Sequence, residues 1–404
     1  MPVPAFLHPF APTGRSDFVR LVSGRGSIVV DEHGKEYLDA IASLWCVNVG
    51  HGRAEVIEAV SAQMRDLATY NTFGHWTNGP ADRLAALIAE RAPMPDARVF
   101  FTNSGSESVD TAMKLARLTH VLEGHPERTT VIARDGGYHG TAYGGTSAQG
   151  IVPNRTGFGP LVGDVVHAGR HDLEAVAGMF ASEGASIAAV LVEPVQGASG
   201  VHPPVAGYLE GLRRLCDQHG AVLIFDEVIT GFGRLGRWFA GQHYDVEPDL
   251  VTFAKAVTSG YIPMGGVVVG GRVRAALEAD PDLILRTGFT YSGHPTAAAA
   301  GVACLEVTEM DGLLDRAPIL GERIGAGLRA LHADGLVTAV RGVGAIWAVD
   351  VSEGRAAGVG QALLDRGVIA RPIGDDTIAL CPPLVITDAE VDRVLDAMAQ
   401  ALGV

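Results

Sequence analysis

Cysteine is scarce in this chain. Four are present among 404 residues: Cys46, Cys216, Cys304 and Cys381. They lie far apart, with no CxxC pair and no histidine at ligand spacing. That pattern excludes a disulfide framework and a cysteine zinc site, and predicts reduced thiols in a cytoplasmic protein. Positive charge is also short: 31 Lys and Arg face 46 Asp and Glu, a formal net charge of −15. Nucleic acid and anionic membrane surfaces are therefore excluded as partners on electrostatic grounds. Any phosphate site must be local and built mainly from backbone N–H groups. No run of about 18 apolar residues is present, so no helix is expected to span a membrane. The opening MPVPAFLHPFAPTGR lacks a basic region followed by an apolar one, so no secretory signal is expected. Internal repeats and low-complexity tracts are missing too.

Apolar residues make up 47% of the chain and charged residues 19%, the balance of a globular protein with a large core. The length predicts two domains. The 52 glycines predict many tight turns and close backbone approaches. GSIVVDEHGKEYLDA reads as a hairpin turning at His33-Gly34. Residues 54–69 and 80–92 have helical spacing of apolar positions.

From about residue 98 short apolar runs alternate with helical stretches. The runs are Arg98–Thr102, Thr130–Ala133, Ala188–Glu193, Val222–Asp226, Leu250–Ala254 and Gly266–Val269. The helices cover about 106–119, 172–182 and 206–219. Strands that are apolar throughout, separated by helices, predict an α/β architecture with a mostly parallel sheet covered on both faces. Ligands of such sheets sit at the carboxyl ends of the strands. Polar residues follow the runs there: Ser104-Gly105-Ser106, Glu193, Asp226-Glu227 and Lys255. Beyond residue 300 a helix, short strands (Ala345–Val351, Val368–Arg371, Thr377–Leu380) and a terminal helix from about 388 predict a smaller α+β domain. The expected division is 1–55, a segment contributing to the small domain; 56–300, the large domain; and 301–404, the small domain.

In VLIFDEVITGFGR an apolar strand delivers Asp226, and a carboxylate in apolar surroundings needs a cationic partner. A protonated pyridine nitrogen would serve and would keep the ring an electron sink. A helix cap, or a metal-ligating pair with Glu227, is the alternative. In LVTFAKAVTSGYIPMGG, Lys255 ends an apolar strand. It either snorkels to solvent or, with its pKa lowered by burial, does imine chemistry. In FFTNSGSESVDTAMKLAR a strand meets a helix N-terminus at Gly105 and Ser106, which suits a phosphate but is also an ordinary cap. No GxxxxGK[ST] loop is present, which argues against a nucleoside triphosphate. GGYHG sets Tyr138 and His139 in a glycine-flanked loop, where a ring could stack on a flat cofactor.

Taken together, LDAIASLWCVNVGHG, NSGSES, GGYHG, EPVQG, DEVITGFGR, AKAVTSGYIPMGG, FTYSGHP and ARPIGDDTIALCPPL resemble the class III aminotransferases of the fold type I pyridoxal 5'-phosphate enzymes, in order and over essentially the whole chain. The resemblance implies a large domain with a mostly parallel seven-stranded sheet plus a smaller α+β domain. It implies that Lys255 carries the cofactor as a Schiff base and shuttles the substrate proton. Asp226 pairs with the pyridine nitrogen. Gly105 and Ser106 cradle the phosphate, with His139 among the cofactor-binding residues. Tyr138 covers one face of the ring and Val228 the other. Thr290 reaches the phosphate of a neighbouring subunit, which implies a homodimer with shared sites, or a tetramer built from it.

Within the class the match is nearest the ω-transaminases. That implies a substrate wall at Trp45 and Tyr138 and a mobile Arg371 that pairs with a substrate carboxylate. Ala379 stands where ornithine and 4-aminobutyrate aminotransferases carry a fixed arginine, which implies pyruvate as acceptor. Ile229 replaces the glutamine of those enzymes, and Glu193 matches their gating glutamate. The implied reaction moves an amino group from an ω-amino acid or primary amine to a keto acid with ping-pong kinetics. The alternatives are a 2-oxoglutarate-dependent relative, an aminomutase, racemase or decarboxylase of the same fold, a catalytically silent binding protein, and a metal-dependent hydrolase using Asp226 and Glu227.

Overall fold

The hairpin at His33-Gly34 forms as its turn chemistry requires. In the computed structural model, which describes residues 5–403, strands β1 (Leu21–Arg25), β2 (Ile28–Asp31) and β3 (Glu36–Asp39) make an antiparallel ribbon. Gly34 takes φ +80° in the turn, and Asp31 Oδ1 accepts the N–H groups of His33 and Lys35, each at 2.9 Å. The first four residues of the 1–55 segment and Val404 lie outside the described residues.

The central sheet has seven strands: β4 (Arg98–Thr102), β5 (Thr130–Arg134), β6 (Val165–Ala168), β7 (Ile187–Val192), β8 (Val222–Asp226), β9 (Leu250–Phe253) and β10 (Gly265–Val269). Their spatial order is β4-β10-β9-β8-β7-β5-β6. Strands β6, β5, β7, β8 and β9 pair in parallel, while β10 runs antiparallel to both neighbours. Every residue of β7, β8 and β9 is buried, as a sheet covered on both faces demands. Apolar clusters pack on either side: Phe180, Leu212, Phe225 and Phe253 on one, Val109, Leu115, Val131 and Ile224 on the other.

Six of these strands follow the apolar runs. The seventh, β6, is a four-residue edge strand, VVHA, with only Ala168 fully buried, and carries no apolar run to read. Helices Ala54–Leu67, Gly79–Arg91, Gly105–Leu122, Leu173–Glu183 and Tyr208–His219 lie where the periodicity places them.

The last part of the chain forms β11 (Ala339–Val343), β12 (Ile346–Asp350), β13 (Val368–Ile369), β14 (Arg371–Ile373) and β15 (Thr377–Leu380). Four of them form a sheet in the order β11-β12-β15-β14. The single strand expected over Val368–Arg371 divides at Ala370. Its first half, β13, pairs in parallel with β3, and its second half, β14, joins the other sheet. The register sets Arg341 opposite Ala348, Ala348 opposite Ala379, and Ala379 opposite Arg371. Directly paired residues share a face, so this row runs across the sheet with an arginine at each end. Among the described residues no helix is long and apolar enough to cross a membrane.

Candidate active site

The carboxyl ends of β5, β7, β8 and β9 converge on a cavity of about 150 Å³. It is lined by Gly105, Ser106, Tyr138, His139, Glu193, Asp226, Val228, Ile229 and Lys255, among others. Lys255 follows β9 after one intervening residue. Its backbone sits at φ +48°, a left-handed conformation that costs a non-glycine residue of order 1 kcal/mol. Burial pushes its ammonium pKa below the ordinary lysine value, against the pull of Asp226. No carboxylate stands within ion-pair distance of it among the described residues, so its charge is only weakly compensated.

Asp226 ends β8 and is 5% exposed. Its Oδ2 lies 2.8 Å from His139 Nδ1. Its Oδ1 accepts from Thr252 Oγ1 at 3.0 Å and from the Val228 N–H at 3.2 Å. Thr252 is the polar residue of an otherwise apolar β9, and the register sets it opposite Asp226. A hydroxyl at that place in a buried strand is the sequence signal that marks Thr252 as a partner of Asp226. Glu227 turns the other way. It accepts from Thr230 Oγ1 and the Gly241 N–H, each at 3.0 Å, and from the Ala240 N–H. The two acids therefore share no ligand, contrary to the metal-pair alternative.

Ser104 caps the helix Gly105–Leu122 by accepting the Glu107 N–H at 3.2 Å. The free N–H groups of its first turn face the cavity, where helix polarity favours an anion. A Cβ on Gly105 would lie 3.1 Å from both methyls of Val228, so a side chain there would crowd the cleft. Ser106 Oγ accepts the Thr141 N–H at 3.0 Å, which ties the cap to the Tyr138 loop. An anion cradle, an aromatic, a buried acid and a lysine of lowered pKa thus enclose one small space, an arrangement that fits a flat phosphorylated cofactor.

The profile of the family Aminotransferase class-III matches residues 10–402. The chain is a class III aminotransferase. An omega-aminotransferase of Caulobacter vibrioides is 39% identical, over 99% of this chain and 97% of that protein. A beta-alanine–pyruvate aminotransferase of Pseudomonas aeruginosa is 36% identical, over 95% and 91%. An amine transaminase from an uncultivated Pseudomonas species, described as PLP-bound, superposes with a TM-score of 0.94 at 33% identity, covering 99% and 98% of the two chains. Pyridoxal 5'-phosphate is accordingly the cofactor of this aminotransferase, and the fold is that of fold type I.

Other expected site residues of the aminotransferase lie further out. Trp45 does not line the cavity. It is 2% exposed and belongs to the apolar cluster that also holds Ile229, Val195, Ala379 and Cys381. Its turn is held open by Asp39, which accepts the Ile41 and Ser43 N–H groups at 3.2 and 2.7 Å and meets His51 Nε2 at 2.8 Å. Thr290 is exposed and outside the cavity of its own chain. Arg371 is half-buried, its Nε has no hydrogen-bond partner, and burial lowers its pKa while Tyr138 opposes that shift. It is thus a guanidinium held beside Tyr138 without a carboxylate.

His202, on the loop after β7, sits between the two main sheets with Nε2 3.1 Å from the Ser199 carbonyl. Burial, with Arg170 and Arg341 nearby, holds its pKa down at about 4, against 6.5 in an open chain. Above pH 6.5 both states are neutral and the residue adds no pH dependence. From 6.5 down to about 4 the unfolded chain binds a proton that the folded chain refuses, so stability falls with pH. We expect the melting temperature of His202→Asn to decline less than that of wild type between pH 7 and 4.5, measured by calorimetry on the holoenzyme.

Proposed function

We propose that this aminotransferase carries the amino group of an ω-amino acid or primary amine to pyruvate, within a cytoplasmic homodimer. One observation carries the reading: Lys255, in a left-handed backbone at the end of β9, shares a small cavity with Asp226. Pyridoxal phosphate, when bound, supplies the carbonyl that condenses with amines and the ring that draws electrons from the adjacent C–H bond.

The chain supplies the rest. Lys255 Nζ would hold the cofactor and, when free, would move the proton at the substrate's amine-bearing carbon. Its lowered pKa favours the neutral, proton-accepting form. Asp226, oriented by His139 and Thr252, holds the proton on the pyridine nitrogen. Gly105 and Ser106 bind the phosphate at the helix N-terminus. Tyr138 and Val228 would enclose the ring, and Trp45 is assigned to the substrate wall. The amino group stays on the enzyme between the two half-reactions, so initial rates follow a ping-pong pattern.

Two features support pyruvate over 2-oxoglutarate. Ala379 is fully buried between Ala348 and Arg371, where an acceptor's second carboxylate would need a cation. Arg371 has no carboxylate partner among the described residues and suits a single carboxylate. Replacing Arg371 with Ala is expected to raise KM for pyruvate about ten- to a hundredfold, the worth of a lost charged hydrogen bond. KM for 1-phenylethylamine, which has no carboxylate, changes little. Lysine restores part of the loss, since it offers a point charge without the planar fork. Steady-state kinetics with the two substrates varied separately checks this.

Thr290 supports the dimer, because it can serve a phosphate only from another copy. The exposed Tyr291, Ile284, Phe73 and Trp76 on nearby segments are the apolar surface such a partner would cover. We also assign residues 1–55 and 301–404 to the small domain and 56–300 to the large one, since the β3–β13 pair joins the two ends of the chain.

The test is a panel of β-alanine, 4-aminobutyrate and 1-phenylethylamine with pyruvate or 2-oxoglutarate as rival acceptors, scored as alanine or glutamate formed. Strong preference for 2-oxoglutarate overturns the acceptor assignment. No transfer to either acceptor favours a mutase or decarboxylase.

A further inference from the structure

We infer that Glu193 is a positioning residue that pins the Tyr138 loop over the cleft, and that it neither gates the site nor carries a proton. The inference rests on the Lys255 cavity being the cofactor site.

The loop after β5 is rich in glycine. Gly136 and Gly140 take φ +74° and +86°, and Gly137 lies between them, so the loop has little intrinsic stiffness. Its placement must come from outside. Two acids at the ends of neighbouring strands provide it. Asp226, ending β8, holds the His139 ring. Glu193, following β7, accepts the Tyr138 N–H on Oε1 at 2.9 Å. The other oxygen of Glu193, Oε2, accepts the Gly197 N–H at 3.1 Å. Both oxygens are thus committed to backbone donors on two different loops. The main chain of Glu193 is fixed as well, because the fully buried Arg134 at the start of the Tyr138 loop donates to its carbonyl.

A carboxylate that gates a site must swing between partners. Among the described residues no guanidinium hydrogen-bonds this carboxylate, whose partners are the Tyr138 and Gly197 N–H groups. Swinging Glu193 away would leave two N–H groups unpaired at a buried place, a penalty larger than the worth of either bond. The side chain is 4% exposed, and both of its oxygens are already taken by backbone donors, which leaves neither free for a proton relay. What it does is set where the Tyr138 ring stands relative to Lys255 and Arg371.

The experiment compares wild type, Glu193→Ala and Glu193→Gln as purified holoenzymes. Alanine removes both bonds. We expect kcat/KM to fall on the order of tenfold to a hundredfold, the scale of one or two charge-assisted hydrogen bonds, with weaker pyridoxal phosphate retention and faster amide exchange at Tyr138 and Gly197. Glutamine keeps one acceptor and falls between alanine and wild type, with an unaltered pH–rate profile. A glutamine variant as impaired as alanine, or one that loses a limb of the pH profile, overturns the inference in favour of proton transfer. An alanine variant equal to wild type in kinetics and cofactor retention overturns it outright. Wild-type protein that binds no pyridoxal phosphate fails the site assignment itself, which is a separate and visible outcome.

Discussion

Lys255→Ala is expected to lower turnover by about 10⁴-fold or more while leaving the fold intact. Proton transfer by a positioned group alone is worth about 10²–10⁴-fold, and the same nitrogen anchors the cofactor, so both contributions vanish together. Folding should not suffer. The lysine is an incompletely compensated cation whose burial opposes its charge, and removing it relieves that cost, so the cofactor-free variant should melt no lower than wild type. Arginine at this position keeps the charge but cannot become neutral and should be as inactive as alanine. Borohydride treatment of wild type should fix the cofactor to the peptide containing Lys255, whereas the alanine variant should release it on dialysis. Full turnover by the alanine variant, or a label on another side chain, would remove the basis of the proposed function.

The apolar strands announced themselves because burial on both faces permits nothing else. β7, β8 and β9 are buried at every position, and their polar neighbours Glu193, Asp226 and Lys255 had to lie at the ligand edge. β6 and β11 were missed for the opposite reason. Both are edge strands of partly exposed residues, where side-chain pattern is free and only the backbone pairing defines the element. The division of 368–371 between two sheets is likewise a tertiary choice with no local signature. At the site, residue types were readable but partnerships were not. His139 was readable as a cofactor-binding residue, but the meeting of its Nδ1 with Asp226 was not. Such contacts depend on the distance between loops brought together by strands far apart in the chain, which spacing along one segment does not encode.

The second large effect is expected from Asp226→Asn, a change of charge at nearly constant shape. The amide oxygen can still accept from Thr252 Oγ1 and the Val228 N–H, so the strand end and its loop should hold. The amide nitrogen replaces Oδ2 and can only donate, so His139 must present a bare ring nitrogen and loses its anionic partner. Without the carboxylate nothing stabilises a proton on the pyridine nitrogen. Stranding a buried partner of this kind costs about 3–5 kcal/mol, which corresponds to a fall in kcat/KM of roughly 10²–10⁴-fold. Glutamate keeps the charge but adds a methylene to a site that is 5% exposed, and should lie between wild type and asparagine. A second readout separates electrostatics from packing. Asp226 raises the pKa of Lys255 against the stronger effect of burial, so in the cofactor-free protein its removal should lower that pKa further. The pH midpoint for modification of Lys255 by an amine-selective reagent should then move down in Asp226→Asn and stay close to wild type in Asp226→Glu. A midpoint that moves up, or asparagine kinetics within a few-fold of wild type, would mean that this carboxylate does not set the charge balance of the cleft.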